Sequence, residues 1–241
     1  MQAGLAVIAL GFSLKVLKQC FFHGRNKPVL YPSAPWTLRG HALQTLHLVD
    51  SAAVRSLLPS GLEVLEPWPG KAISTVYFSA YQAGSALEYN ELIVATLIRQ
   101  GGNVGGWVTH IYVDNPDAVA GGREIWGLPK ELADFTWESG ETQQVSVSQG
   151  DRLLCSLRYE PPFSLWRQPF SATSFSLLDS AFLSFAAHRD SRLGMVKGHL
   201  EVPANSLLAQ INFGQPWVTV SHAEMQLRVD APQKRVANFT K

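Results

Sequence analysis

One lysine in this chain has neighbours that set it apart from a solvated surface lysine. In the stretch Gly121-Gly122-Arg123-Glu124-Ile125-Trp126-Gly127-Leu128-Pro129-Lys130-Glu131-Leu132, Lys130 follows a proline inside an otherwise apolar segment. A lysine amine becomes a nucleophile near neutral pH only when its pKa is lowered, by desolvation or by a neighbouring positive charge. Trp126, Leu128 and Leu132 are the side chains able to supply that desolvation, and Trp126 and Leu128 are the candidate walls for a bound substrate.

Other chemistries find less support. His41 and His47 lie six residues apart and share a face if they share a strand, but six residues of strand span about 20 Å, too far for one metal ion. No HExxH pattern and no closely spaced Cys/His set is present, so no metal site is expected. The chain has no GxSxG elbow for a serine nucleophile and no GxGxxG turn within a βαβ unit for a dinucleotide, so no cofactor is expected. Gly101, Gly102, Gly105 and Gly106 lack the Lys-Ser/Thr and the helix that would make them a phosphate loop, and they read as a turn.

The elements that must position Lys130 are mostly strands. Charged residues make up 16% of the 241 residues, below the roughly 25% of an average soluble domain, while 19 glycines and 14 prolines supply turns. Arg39–Asp50, Leu62–Leu65, Ala72–Tyr81, Asn90–Ile98 and Trp107–Val113 read as strands, with a short helix over Ala52–Leu58. Asn90–Ile98 is nearly continuously apolar and is expected to be covered on both faces. Asn115-Pro116-Asp117 opens a helix that Gly121-Gly122 should stop. Asp134–Glu138, Gln143–Ser148 and Asp151–Arg158 alternate, with Gln149-Gly150 as a hairpin turn. Residues 160–176 read as irregular and Phe175–Ala187 as strand or short helix. Met195–Val202, Leu207–Phe213 and Trp217–Val229 are strand candidates. The fold class is therefore mainly β with a few short helices, in one domain from residue 36 to 241.

A net charge of +1 and the absence of basic runs argue against a nucleic-acid partner. Cys20 and Cys155 sit among apolar neighbours and read as buried free thiols of a reducing, cytoplasmic compartment. Residues 1–22 form an apolar segment that reads as helical. It is too short to span a bilayer, and three readings stay open: packing on the domain or a neighbour, a peripheral membrane contact with Lys15 and Lys18 at the headgroups, or a targeting signal. Residues 23–35, with Gly24, Pro28, Pro32 and Pro35, read as a linker.

The segment GREIWGLPKELA resembles the active-site segment of the acetoacetate decarboxylase family, whose lysine after proline stands where Lys130 stands. SAAVRSLLPSGLEVLEP and IYVDNPDAVAGGRE extend the resemblance over most of the chain from about Trp36. The resemblance implies a closed, mostly antiparallel β-barrel, a homo-oligomer, and a lyase in which Lys130 forms a Schiff base with a small or medium oxo acid without any cofactor. That family supplies the standard example of a lysine activated by desolvation or a cationic neighbour. It also implies Arg39 as the group that holds a substrate carboxylate and Glu91 as the group that positions a proton or water. One position departs: the family's decarboxylases carry a second lysine where this chain has Glu131. In an extended segment Glu131 points to the face opposite Lys130. WTLRGHALQTLHLV and FSAYQAGSALEYNELIV are also similar to the plant neoxanthin-deficiency proteins. That likeness implies a non-catalytic barrel for an apolar isoprenoid, such as a carotenoid, linked to xanthophyll metabolism.

Overall fold

The computed structural model describes residues 31–141 and 143–235. The helical expectation for residues 1–22, most of the linker and Cys20 lie outside the described residues. From Tyr31 the chain runs without regular structure into strand β1 (Trp36–Asp50), a short helix α1 (Ser51–Arg55), β2 (Glu63–Val64), β3 (Lys71–Tyr81), β4 (Tyr89–Gln100) and β5 (Asn103–Val113). Helix α2 (Pro116–Trp126) leads into β6 (Lys130–Leu132), β7 (Asp134–Glu138), β8 (Gln143–Gln149) and β9 (Arg152–Tyr159). The long hairpin of β10 (Phe163–Leu178) and β11 (Ala181–Met195) follows. Then come β12 (Gly198–Glu201), a 3-10 turn at Ala209–Ile211, β13 (Val218–Val229) and β14 (Gln233–Arg235).

The larger sheet closes on itself. Its order runs β4-β3-β1-β13-β11-β10-β5, and β5 pairs again with β4, giving a closed barrel of mostly antiparallel strands. The closing contact between β5 and β10 is parallel and short, pairing Gly106 with Ser174 and Trp107 with Phe175. Gly105 permits it: a Cβ there would lie 2.6 Å from the Phe175 ring and 2.7 Å from the Thr173 carbonyl oxygen. Gly105 and Gly106 are thus strand residues at the barrel seam, and only Gly101 and Gly102 form the expected turn.

The smaller sheet, in the order β12-β9-β8-β7, covers the outside of β1, β3 and β4. Val76, Phe78, Leu92 and Val94 face it and pack with Val145, Val147, Leu154 and Leu157. Tyr77 and Ile93, one residue out of phase, face the barrel interior. The continuously apolar β4 is therefore covered on both faces, as its composition predicts. Cys155 is buried between this sheet and the barrel, and burial pushes its thiol up.

Three local expectations are corrected, and one open pair of readings resolves to strand. Residues 160–176 are not irregular: β10 pairs with β11 along nearly its whole length and turns at Asp179 and Ser180, both at positive φ. Three prolines, at 161, 162 and 169, had masked that strand's alternation. The uncertain stretch Phe175–Ala187 spans this hairpin and is strand on both sides. Leu207–Phe213 is not a strand; Leu208 and Ile211 are buried three residues apart, the spacing of the 3-10 turn they occupy. Helix α2 does not stop at Gly121-Gly122. It runs on to Trp126 and is capped by Gly127 at φ 62°, where a side chain would strike the Leu177 carbonyl oxygen at 2.3 Å.

His41 and His47 take separate aromatic partners, Trp137 and Phe213. Burial pulls the His47 pKa from its ordinary 6.5 down to about 4, against the hydrogen bond to the Phe213 carbonyl. Below pH 6.5 the unfolded chain binds a proton that the folded chain refuses, so stability falls as pH drops from 6.5 toward 4. At pH 5 this amounts to about 2 kcal/mol for the single imidazole. Urea melts at pH 8 and pH 5 should show a loss that His47→Gln reduces by about that amount; an equal loss in both proteins would contradict the assignment.

Candidate active site

The barrel interior holds a cavity of about 220 Å³ with walls that are mainly aromatic and aliphatic. Lys130 and Glu91 both face it. Lys130 is the first residue of β6, which pairs in parallel with β5 at Ile111, so its side chain turns inward beside Ile111. Glu91 points into the barrel from β4 in phase with Ile93. Lys130 Nζ lies 2.7 Å from Glu91 Oε1, with the two side chains only 3% and 5% exposed.

Three aromatic residues surround this pair. Tyr81 donates its hydroxyl to Glu91 Oε2 at 3.0 Å, and Lys130 Nζ also reaches the Tyr89 hydroxyl at 3.4 Å. The Nζ lies 4.8 Å from the centre of the Tyr89 ring and 5.9 Å from that of Trp36, within cation–π range. Burial, and after it the charge of Glu91, holds the Tyr81 and Tyr89 hydroxyls well above their ordinary pKa. Both stay protonated and can act as donors.

Helix α2 fixes the lysine from behind. Asn115 caps the helix by accepting from the Asp117 and Ala118 amides, and Pro116 opens its first turn. A Cβ on Gly122 would stand 2.4 Å from Lys130 Cδ, and one on Gly121 would stand 2.6 Å from the Trp36 ring. The paired glycines are therefore the space in which Lys130 and Trp36 lie. Arg123 and Glu124 do not brace each other. Arg123 Nε donates to the Lys130 carbonyl at 2.7 Å, and Glu124 accepts from the Tyr31 hydroxyl. Trp126 packs edge-on against Trp36 with ring centres 4.9 Å apart and, with Leu128, lines the cavity.

The structure brings Lys130, Glu91, Trp126 and Leu128 together and does not bring Arg39 to them. On β1 the side chains of Trp36, Leu38 and Gln44 line the cavity, so Arg39, out of phase with them, emerges on the other face. It is exposed and packs over Gly84. The cationic group at the cavity wall is Arg189 of β11, in phase with Phe185 and Ala187. That alternation is visible in the sequence, but it carries no meaning until β11 is recognised as a strand. Glu131 does point away from Lys130: it is exposed and accepts from Gln149 Nε2 at 3.0 Å. Among the described residues no group of three His, Cys, Asp or Glu side chains is placed to hold a metal ion, and no helix is long and apolar enough to cross a membrane.

Residues 22–182 match the family model for acetoacetate decarboxylase. The chain belongs to the acetoacetate decarboxylase family. Within it, the chain is 31% identical over 103 residues to NEOXANTHIN-DEFICIENT 1 of Oryza sativa, covering 42% of this chain and 34% of that protein. It is 29% identical over 132 residues to the acetoacetate decarboxylase of Ralstonia nicotianae, covering 54% and 48%. The matches thus span less than half the length of these curated relatives. The barrel is similar to that of acetoacetate decarboxylase from Legionella pneumophila, with a TM-score of 0.71, 18% identity and coverage of 87% of this chain and 90% of that one. It is also similar to the enduracididine biosynthesis enzyme MppR complexed with pyruvate, with a TM-score of 0.65, 16% identity and coverage of 85% and 91%.

The Lys130–Glu91 pair should behave as a unit in stability. Lys130→Met leaves a buried carboxylate with Tyr81 as its remaining partner and should cost about 3–5 kcal/mol. Adding Glu91→Gln should return most of that loss. Denaturant melts of the two single variants and the double variant test this, and strictly additive costs would contradict the coupling.

Proposed function

We propose that the chain is a Schiff-base lyase acting on a small or medium oxo acid, with Lys130 as nucleophile and Glu91 as proton carrier. The observation that carries this reading is the position of Lys130 Nζ, buried at the wall of an apolar cavity and 2.7 Å from Glu91. Glu91 takes a proton from the ammonium, and the freed amine adds to the substrate carbonyl. The resulting carbinolamine loses water as Glu91 returns the proton to the departing hydroxyl, leaving a cationic imine. In a β-oxo acid the electron pair of the bond to the carboxylate then flows into the imine. Carbon dioxide leaves, and the enamine is protonated on carbon and hydrolysed to free Lys130.

Iminium formation replaces one positive charge on Nζ by another, so Glu91 faces a cation both before and after condensation. Tyr81 holds Glu91 Oε2, which leaves Oε1 to Lys130 and the reacting atoms. The family membership and the likeness to relatives such as the acetoacetate decarboxylase of Ralstonia nicotianae support this reading. A second reading, non-catalytic binding of an apolar isoprenoid such as a carotenoid, draws support from the aromatic cavity walls and the likeness to NEOXANTHIN-DEFICIENT 1.

Borohydride reduction in the presence of a panel of β-oxo and α-oxo acids separates the two. The Schiff-base reading expects on the intact wild-type protein a mass increment of substrate less one oxygen, or less one oxygen and carbon dioxide where a β-oxo acid has decarboxylated before reduction, and none on Lys130→Ala. No adduct with any acid, together with retention of an apolar isoprenoid, would select the binding reading.

A further inference from the structure

Arg189 has no part in the chemistry above, and its guanidinium is not matched by a carboxylate among the described residues. It lines the same cavity as Lys130 and is only partly exposed. Among the described residues no carboxylate lies within ion-pair distance of it; its neighbour Asp190 is engaged by Arg167 at 3.3 Å. The Arg189 Nε is buried with no hydrogen-bond partner, Nη1 donates to the neutral Gln44 Oε1 at 3.3 Å, and the guanidinium's other polar neighbour is the Tyr77 hydroxyl, which is also neutral. A buried guanidinium donor left open in this way is rare in a folded protein, because an unsatisfied buried donor is destabilising.

The groups around Arg189 orient it without neutralising it. Gln44 is held by its own donation to Thr75 Oγ1 at 3.2 Å, and its Oε1 also faces His222 Nε2 at 3.3 Å. Besides the Tyr77 and Tyr81 hydroxyls, His222 is a titratable side chain of this cluster. Burial, and after it the charge of Arg189, lowers its pKa to about 3, so it is neutral at physiological pH. The Phe170 ring lies 5.2 Å from the guanidinium carbon, and Phe170 both lines the cavity and is 54% exposed, which marks this side as the mouth. Along the wall the polar groups run from Lys130 to Glu91 to Tyr81, and the Tyr77 hydroxyl faces both Tyr81 and Arg189. Three side chains thus separate the ammonium from the guanidinium.

We propose that Arg189 anchors a carboxylate that the substrate carries away from its reacting carbonyl. The substrate class is then an oxo acid that enters carbonyl-first and keeps an anionic end at the mouth. A carboxylate held by Arg189 is a retained one, since a leaving carboxylate must sit beside the imine at Lys130. The planar fork of Arg189 suits two-point binding of a carboxylate, and Gln44 fixes the plane of that fork. The proposal depends on the Schiff-base reading only for where the carbonyl goes.

Its test therefore uses probes with and without a carbonyl. Calorimetric titration of the full chain with hexanoate and with hexanamide needs no imine; borohydride trapping with 5-oxohexanoate and 5-oxohexanamide needs one. The wild-type protein should favour each carboxylate over its amide by about 10-fold or more in half-saturating concentration. In Arg189→Gln the ratio should fall to near one. Arg189→Lys, which keeps the charge and loses the fork, should give an intermediate ratio and serves if the glutamine variant does not fold. No preference in the wild type, or a preference that survives in these variants, would overturn the anchor. Hexanoate preference without any trapped adduct would instead sink the Schiff-base reading and leave the anchor standing.

Discussion

The ion pair between Lys130 and Glu91 is the constraint that the rest of this barrel serves. Two side chains exposed by only 3% and 5% bring opposite charges into an interior lined mainly by apolar and aromatic groups. Neither charge is tolerable there without the other, because losing one partner leaves the other desolvated and uncompensated. Every neighbour reads as support for that arrangement. Tyr81 satisfies the second carboxylate oxygen, Arg123 holds the Lys130 carbonyl, and Gly122 leaves room for the lysine stem. In the proposed imine chemistry the same pair serves again, since Nζ is cationic before condensation as an ammonium and after it as an iminium.

Close approach of backbone is the second requirement, and glycine meets it at two kinds of place. Gly105 lets β5 come against β10 and so closes the barrel whose interior is the cavity. Gly121 and Gly122 let α2 lie directly on Trp36 and Lys130, which holds those two side chains and the α2 residue Trp126 at the cavity wall. The smaller sheet then covers the outside of β1, β3 and β4, which makes these strands apolar on both faces and gives the cavity a rigid backing. A rigid wall matters here because the Lys130–Glu91 contact has to hold at hydrogen-bond length.

Much of this was legible in the residues. The apolar run of β4, the Asn115-Pro116 helix start and the hairpin at Gln149-Gly150 are local signals, and the structure keeps them. Lys130 was legible from its proline and apolar neighbours, and its phase opposite Glu131 follows from strand alternation alone. The sequence could not reveal what depends on distant packing. Gly121-Gly122 looks like a helix stop because glycine usually disfavours helix interiors; only the Trp36 and Lys130 side chains lying across it explain why it stays helical. Gly105-Gly106 looks like a turn for the same reason, with Phe175 as the hidden partner. Arg39 was placed by resemblance, and the alternation of β1 puts it outside. Arg189 went unread because prolines obscured β10, the strand that reveals β11 as its partner.

The central requirement is that Lys130 Nζ is the atom that bonds to a carbonyl carbon inside the barrel. A crystal structure of the borohydride-reduced adduct with an oxo acid measures this directly. Continuous density from Lys130 Nζ into the cavity, with Glu91 still within hydrogen-bond distance of that nitrogen, is the predicted result. A ligand joined to any other lysine, or lying in the cavity unbonded beside an intact Lys130–Glu91 pair, would contradict it.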